Sequence, residues 1–273
     1  MKRKTPGQIL LIIILALFLV ATFVPFVLML SLSFKTNADI YADFWGPPRV
    51  FHVEHYAKAF RAVSRYMGNS LFVCATATLG VVFLSSLSGY VFARHEFPFK
   101  GVLFYMIISL LMIPGILTLI PLFLLMRNMG LLNTRWALIL PYISGGQIFG
   151  ILLCRTFISE IPRDLFDASR LDGASEIQVY WNIVIPLSLP ILATVGIMTS
   201  FSLYNDFIWP LVAISDNSKQ VYTVALTIFA GEHRLDMGPV LAGYAIGCIP
   251  LMLLIAFGMK YFIKGITSGA LKA

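Results

Sequence analysis

Six apolar segments constrain the fold of this chain more than any other feature. About 20 apolar residues are enough for a helix to cross the ~30 Å hydrocarbon core of a bilayer, and every segment reaches that length. Only 12% of the 273 residues are charged and 59% are hydrophobic, whereas soluble domains carry about 25% charged residues. The pattern predicts an all-α integral membrane protein with six transmembrane helices, at residues 9–32, 69–93, 101–126, 136–157, 191–214 and 237–262.

The first apolar segment predicts a retained span rather than a cleaved leader. The apolar region of a signal peptide covers about 7–15 residues, and residues 9–32 run well beyond that. The basic cluster Lys2-Arg3-Lys4 precedes this segment, which favours a cytoplasmic N-terminus because basic residues are enriched on that side. Six spans then place the C-terminus in the cytoplasm as well. A net charge of +7 therefore indicates orientation at anionic lipid and not nucleic acid binding.

Proline and glycine residues predict where the spans depart from straight helices. Pro114-Gly115 and Pro121 interrupt the third segment, which predicts a kinked or broken span. The amphipathic residues 55–66 predict a helical segment along the outer surface. Glycines four residues apart permit close helix approach, and two such pairs occur, Gly146 with Gly150 and Gly243 with Gly247.

A charged but folded segment separates the fourth and fifth predicted spans. Pro162 suits the first turn of a helix, and Gly173 suits a left-handed helix end. Ser175 and Gln178 have the spacing of a capping box that starts a second helix. The segment predicts two short helices with a bend at Gly173, a stiff elbow suited to docking on another protein. We call residues 159–190 the coupling loop.

The spacing inside the coupling loop resembles the Glu-Ala-Ala signature of the permease subunits of bacterial ABC importers. That signature has Glu-Ala-Ala, three residues, Gly, nine residues, Ile, one residue and Leu-Pro. The corresponding residues here depart from it only by Asp for Glu, Ser for Ala and Ile for Leu: Asp167, Ala168, Ser169, Gly173, Ile183, Ile185 and Pro186.

Further segments resemble the carbohydrate branch of these permeases, and within it the six-span permease type of maltose transporters. The resemblance extends over essentially the whole chain and departs at Tyr204, where the family usually has Trp, at Asp206, where Glu is commoner, and at the last residues, Lys272-Ala273. The segments that carry it are Asn69-Ser70, Tyr90 to Arg94, Leu131 to Thr134, Asn205 to Leu211 and the C-terminal KGITSGALKA.

The resemblance implies a type I ABC importer transmembrane domain. It would occupy residues 1–273 as a single domain in the bacterial cytoplasmic membrane, with a five-helix core at about 69–262. A second permease subunit would complete the pore, two ATPase subunits would bind residues 161–183, and an extracytoplasmic binding protein would deliver a sugar, a di- or oligosaccharide. The residues expected to couple the loop to the ATPases are Asp167, Ala168, Ser169, Leu171, Asp172, Gly173, Ala174, Ile183 and Pro186.

The sequence contains no motif for an enzyme or an energy source of its own. Gly265 to Lys272 lacks Walker A spacing, and HExxH and GxSxG are absent. We therefore expect no bound cofactor, with ATP and magnesium held by the partner subunits. Three alternatives remain: a permease for a non-sugar solute such as glycerol phosphate or peptide, a self-sufficient secondary transporter or channel, and a membrane enzyme.

One polar and aromatic cluster within a predicted span suits a sugar site. Aromatic faces next to amide and carboxylate groups can bind both the C–H surfaces and the hydroxyls of a sugar. The competing interpretation is an interfacial aromatic belt, with the carboxylate bonded to nearby backbone. The candidate cavity residues are Tyr204, Asn205, Asp206 and Trp209, with Tyr244 on the sixth span.

Other residues with reactive or metal-binding side chains have simpler interpretations. Cys74, Cys154 and Cys248 are isolated in apolar surroundings, which is typical of packing residues rather than disulfides or metal ligands. His52, Glu54 and His55 lack further ligands nearby, so an exposed loop is the favoured interpretation over a metal site. The same holds for the last outer loop, where Glu232, His233 and Arg234 could otherwise meet a binding protein.

Overall fold

Helices account for nearly all of the structure. The computed structural model describes residues 6–233 and 236–270, with side chains up to residue 260. The helices are α1 (Pro6–Ser33), α2 (Asn37–Ala42), α3 (Glu54–Arg94), α4 (Lys100–Ser109), α5 (Leu119–Asn128), α6 (Trp136–Glu160), α7 (Arg163–Leu171), α8 (Glu176–Val179), α9 (Ile185–Tyr204), α10 (Ile208–Ala213), α11 (Tyr222–Glu232) and α12 (Met237–Ala270). Lys2-Arg3-Lys4, Arg234 and the end of the C-terminal motif, residues 271–273, lie outside the described residues.

Five helical segments of the described residues are long and apolar enough to cross a membrane, and a bent pair supplies a sixth. The bent pair joins Lys100–Met112 to Gly115–Asn128 at an angle of 94°. The break falls at Pro114, as predicted, because proline lacks an amide donor and its ring excludes the preceding helical carbonyl. The six predicted spans are thus all represented when this bent pair is counted as one span.

Residues 55–66 are helical, as predicted, but they are continuous with the second span and do not form a helix that lies along the outer surface. These residues form the first part of α3, which continues without a break for 41 residues. At ~1.5 Å per residue this helix is about 60 Å long, so it extends well beyond a ~30 Å hydrocarbon core. No proline interrupts residues 54–94, and a glycine such as Gly68 only lowers helix propensity.

The predicted fifth span, residues 191–214, has different bounds. A continuous helical segment runs from Glu176 to Tyr204, and α10 begins only at Ile208. Pro210 explains the break, because its ring would clash with the carbonyl of residue 206 if the helix continued. The Asn205 side-chain amide also donates to the carbonyl oxygen of Phe201 at 2.8 Å, which satisfies a helix-end acceptor. Asn205 and Asp206 therefore lie in a break and not within a helix.

The chain divides into two compact units. The first comprises residues 1–65 and 225–249, and within it Lys35 is 2% exposed. The Lys35 ammonium donates to the carbonyl oxygens of Asp43 and Gly46, both at 2.6 Å. A buried charge is costly unless it is hydrogen-bonded, so these two bonds fix the turn that follows α2.

Close packing of α3, α6 and α9 forms the core of the second unit, residues 66–224 and 250–273. A Cβ atom added at Gly150 would lie 2.1 Å from Ser85 Oγ, and one added at Gly146 would lie 2.9 Å from Val81. The predicted close approach at this glycine pair is confirmed. At Gly89 a Cβ atom would lie 2.5 Å from Cys154 Cβ and 2.9 Å from a backbone nitrogen. In a bilayer, such van der Waals contacts replace the hydrophobic effect as the force between helices.

Gly89→Ala should destabilise the protein because the added methyl group meets backbone of α6 that cannot rotate away. Overpacking of this kind costs about 1–3 kcal/mol. Gly68→Ala is the matched control, since it lies on the same helix and a Cβ atom there meets nothing within 4 Å. We expect a lower thermal midpoint for Gly89→Ala alone, measured by size-exclusion chromatography of heated, detergent-purified protein. Equal midpoints for both variants would contradict this packing.

Candidate functional site

The bend of the coupling loop is a hydrogen-bonded helix end. Helix α7 ends at Leu171, and Gly173 has a φ of +79°, a left-handed conformation that glycine adopts without strain. The Gly173 amide donates to the carbonyl oxygen of Arg170, and the Ala174 amide donates to that of Ser169, both at 3.0 Å. This pair of bonds is a Schellman motif. The left-handed bend predicted at Gly173 is therefore confirmed in its conformation.

The second helix of the coupling loop begins as predicted but does not end as predicted. Gln178 completes the capping box: the Ser175 amide donates to its side-chain oxygen at 2.7 Å, and its own amide donates to the Ser175 hydroxyl. Helix α8 then passes through one π-helical turn, Tyr180–Val184, directly into α9. Pro186 accounts for the π turn, because it cannot donate to the carbonyl of residue 182. The predicted short second helix is instead the first part of the fifth span.

The predicted coupling residues lie mostly on the exposed side of the loop. Leu171 is 89% exposed and Ile177 is 72% exposed, so two large apolar side chains project beside the bend. An apolar pair in a polar surrounding is typical of a protein contact surface. Asp167, Ala168, Asp172, Gly173 and Pro186 are exposed, while Ser169, Ala174 and Ile183 are half-buried. Their coupling role stays a prediction.

The loop is attached to the end of α3 by residues to which the sequence analysis gave no role. Phe166 of α7 is buried, and the Arg94 guanidinium carbon lies 4.3 Å from the centre of its ring. Arg94 also donates to the carbonyl oxygens of Ile158 and Ile161, where α6 ends. Arg94 is the last residue of the Tyr90–Arg94 motif. Residues four positions apart lie on the same face of a helix, so this spacing was the feature of the sequence that could have indicated a shared contact surface.

The predicted aromatic and polar cluster separates into buried and accessible residues. Tyr204 and Trp209 are buried. The Trp209 indole donates to the carbonyl oxygen of Ala137 at 3.0 Å, and Tyr204 stacks on Tyr222 with 5.8 Å between ring centres. Asn205 is exposed and Asp206 is half-buried. The burial of the two aromatic residues supports the interpretation that they pack within the protein and do not form a sugar site. Substrate contact stays a prediction for these two residues and for Asn205 and Asp206.

A cleft of about 400 Å³ lies between α6 and α9. Pro141, Gly145, Gly146, Met198 and Leu203 line it, together with aromatic and hydroxyl-bearing side chains. Its volume lies in the range of ligand pockets. Asp206 reaches this cleft indirectly, since the Tyr142 hydroxyl donates to its carboxylate at 2.8 Å. The lining aromatic and hydroxyl residues are Tyr142, Phe149, Thr199 and Ser202.

The side chains of His52, Glu54 and His55 have partners within the protein. Nδ1 of His52 lies 2.6 Å from a Glu54 carboxylate oxygen, and Nδ1 of His55 lies 2.9 Å from the Ser33 carbonyl oxygen. These three side chains do come together, with ligand atoms within 4.8 Å of one another. Their hydrogen bonds tie the start of α3 to the end of α1. Tyr244 is exposed on α12 within the first unit, and its cavity role stays a prediction.

Side chains of the Asn69-Ser70 and Leu131–Thr134 motifs bind the irregular segment 214–222. The Asn133 side-chain oxygen accepts hydrogen bonds from the Ser215 amide and hydroxyl and from the Asp216 amide, at 2.6–3.1 Å. The Asn69 amide donates to the carbonyl oxygens of Ser218 and Gln220. Hydrogen bonds from Ser218 lower the pKa of the Asp216 carboxyl. These motif residues therefore stabilise backbone that has no helical partner.

Comparison with known proteins places this architecture in one family. A family model described as "Binding-protein-dependent transport system inner membrane component" matches residues 81–268. The chain belongs to this family. The match includes the whole coupling loop and confirms the resemblance that the loop's spacing indicated.

Two relatives and one solved structure are similar to this chain over most or all of their lengths. A probable ABC transporter permease protein of Bacillus subtilis, YurM, is 34% identical, with 95% of this chain and 87% of the relative covered. The trehalose/maltose transport system permease protein MalG of Thermococcus litoralis is 30% identical, with 100% and 99% covered. A bacterial ABC transporter involved in alginate import contains a chain that matches with a TM-score of 0.83 at 21% identity, covering 96% of this chain and 100% of that chain. At this low identity, the match to the alginate importer shows only that the two chains share a fold.

Trp209→Phe should lower the stability of this permease, because Phe cannot donate to the buried Ala137 carbonyl oxygen. A buried acceptor left without its donor costs about 1–3 kcal/mol. Trp181→Phe is the control, since Trp181 is exposed. We expect a lower thermal midpoint for Trp209→Phe than for Trp181→Phe by fluorescence-detected chromatography. An unchanged midpoint with weakened sugar uptake would instead support substrate contact.

Proposed function

We propose that this protein is one of two permease subunits of an ATP-driven importer that carries a di- or oligosaccharide across the bacterial cytoplasmic membrane. A second permease completes the pore, two ATPase subunits dock on the coupling loop, and an extracytoplasmic binding protein delivers the sugar. The family's own description names dependence on a binding protein. The chain itself holds no ATP or magnesium, and both of its termini face the cytoplasm.

The proposal rests mainly on the structure of the coupling loop. Its bend is fixed by the Schellman bonds at Gly173, and exposed Leu171 and Ile177 project beside it. A stiff segment that presents apolar side chains can bind a partner and transmit its movement without deforming. Because α8 continues into α9, a push on the loop tilts a membrane-spanning helix directly. Such tilting alternates access to a central passage.

The sugar substrate is supported by the cleft and by the relatives. The Thermococcus relative is named for trehalose and maltose. Tyr142 and Phe149 offer ring faces to C–H surfaces, and Thr199 and Ser202 offer hydroxyls to sugar hydroxyls. Two further clefts on the same unit, of about 320 and 550 Å³, are lined mainly by apolar side chains. The mixed lining favours the cleft between α6 and α9 as the sugar path.

Sugar uptake by the complex purified with this permease tests the function. In proteoliposomes we expect ATP-dependent uptake of radiolabelled maltose or trehalose that requires the binding protein. Competition with unlabelled melibiose, raffinose and arabino-oligosaccharides defines the class. Uptake of glycerol 3-phosphate or a tetrapeptide, with no competition by any sugar, would overturn the sugar assignment. Uptake by the permease alone would indicate a secondary transporter.

In the same assay, Thr199→Val and Ser202→Ala should each raise the KM for sugar several-fold. A net hydrogen bond of about 0.5–1.5 kcal/mol corresponds to roughly twofold to tenfold in affinity. Thr156→Val is the control, because Thr156 is exposed on α6 and bonds only to its own helix among the described residues. An unchanged KM in both cleft variants would exclude the cleft as the sugar path.

Gly173→Pro should uncouple ATP hydrolysis from transport. Proline fixes φ near −65°, which is incompatible with the +79° of Gly173, and it removes the amide that donates to Arg170. Gly173→Asn is the milder control, since Asn tolerates the left-handed conformation. We expect Gly173→Pro to lower the sugar transported per ATP hydrolysed, while Gly173→Asn stays near wild type. Normal coupling in Gly173→Pro would show that the bend is dispensable.

A further inference from the structure

One face of α3 carries three residues that each contact a different element. Ser86, Tyr90 and Arg94 are spaced four residues apart, so their side chains lie on the same side of the helix. The Ser86 and Tyr180 hydroxyls are 2.6 Å apart in a buried hydrogen bond to the π turn. Arg94 bonds to the end of α6 and lies over Phe166 of α7. Tyr90 lies between them.

Tyr90 bonds to the first residue of α8, the helix that follows the bend of the coupling loop. Its ring is 3% exposed, and its hydroxyl donates to a Glu176 carboxylate oxygen at 2.7 Å. The other carboxylate oxygen accepts a hydrogen bond from Arg170 of α7 at 3.0 Å. His95 Nε2 lies 3.4 Å from the oxygen that Tyr90 binds. One carboxylate therefore links α3, α7 and α8 across the bend.

The Tyr90 bond differs in kind from the ion pair beside it. Arg170 and Glu176 are each about half exposed, and an exposed ion pair contributes little. The Tyr90 hydroxyl instead sits on a buried ring of a long helix and donates to a charged acceptor, which makes a short, directional bond. Such a bond fixes the orientation of α8 relative to α3.

We propose that Tyr90 and Glu176 are positioning residues that pass movement of the coupling loop to α3. The inference rests on the proposed function, because an ATPase partner must move the loop. Helix α9 receives that movement through its own backbone. Helix α3 has no such continuity with the loop. Among the described residues it is connected to the loop only through side chains, among whose hydrogen bonds the Tyr90–Glu176 bond is the one that reaches α8. Without it, the loop moves and ATP is hydrolysed, but α3 responds less.

The test measures opening of the cleft between α6 and α9 and ATP hydrolysis in the same complex. The cleft reports on α3 because α3 and α6 are in close contact at their glycines and move together. The permease, purified with its partner subunits and reconstituted in proteoliposomes, carries Ser202→Cys as a reporter in the cleft. A water-soluble maleimide probes its labelling rate with and without Mg-ATP, and protein lacking the reporter gives the background from the native cysteines. The variants are Tyr90→Phe, Glu176→Gln and the double variant.

Matched controls make the same chemical changes away from the bend. Tyr105→Phe alters a tyrosine that is 73% exposed on α4. Glu96→Gln alters an exposed glutamate whose partner among the described residues is Lys100. Both controls should show the wild-type response of labelling to Mg-ATP.

We expect Tyr90→Phe, which removes the hydrogen bond, to reduce the Mg-ATP-dependent change in labelling by about tenfold or more, the effect of one hydrogen bond to a charged group. Glu176→Gln should reduce it less, because the Gln amide oxygen still accepts from the Tyr90 hydroxyl but carries no charge. ATP hydrolysis should stay within about twofold of wild type. The double variant should show no further reduction beyond Tyr90→Phe, because that change already removes the bond that Glu176→Gln weakens. A wild-type labelling response in both Tyr90→Phe and Glu176→Gln would overturn this inference and leave the proposed function intact.

Loss of the assembled complex in both single variants would also overturn the inference, since the contact would then be structural. If only Glu176→Gln fails to assemble, the result for Tyr90→Phe decides whether the inference holds. That variant removes the hydroxyl and keeps the buried ring, so the packing around it is preserved. Absence of ATP hydrolysis by the wild-type complex would overturn the proposed function, and the inference with it.

Discussion

Backbone that leaves a helix within a membrane protein needs hydrogen-bond partners from elsewhere, and this constraint explains much of the structure. Water is absent from the hydrocarbon core, so each freed carbonyl must be satisfied by protein. Side chains do this at the breaks within each unit. The donors and the residues whose carbonyls they satisfy are Arg94 for Ile158 and Ile161, Trp209 for Ala137, Asn69 for Ser218 and Gln220, Gln220 for Ile214, Thr223 for Asp206 and Lys35 for Asp43 and Gly46.

This constraint also determines where the protein is able to move. Close glycine contacts between α3 and α6 leave no space for sliding, whereas the coupling loop is held by a few directional bonds around Gly173 and Glu176. In the mechanism that we propose, a movement of the loop reaches the spans as a rotation of packed helices. Transport of this kind needs stiff elements joined at defined points, and the glycine contacts and the side-chain bonds supply both.

Much of this arrangement could be predicted from local sequence. Pro114 broke the third span because a proline lacks an amide donor wherever it occurs, and Gly173 adopted the left-handed conformation expected of a helix end. Ser175 and Gln178 formed their capping box for the same local reason. The predictions that were wrong involved helix continuity: residues 55–66 joined α3, and the fifth span began at Glu176. Continuity depends on packing along the whole helix, and a local pattern does not contain that information.

The sequence by itself determined that the protein crosses a membrane, that it belongs among binding-protein-dependent permeases, and that its charged elbow bends at Gly173. These follow from hydropathy, motif spacing and backbone chemistry, which are properties of neighbouring residues. Only the tertiary structure decided that Trp209 is buried against Ala137 and that Tyr142 connects Asp206 to a cleft. It also decided that Tyr90 meets Glu176 across 86 positions. Such pairs are set by how helices pack against one another, since residues far apart in the chain meet only after the helices have assembled.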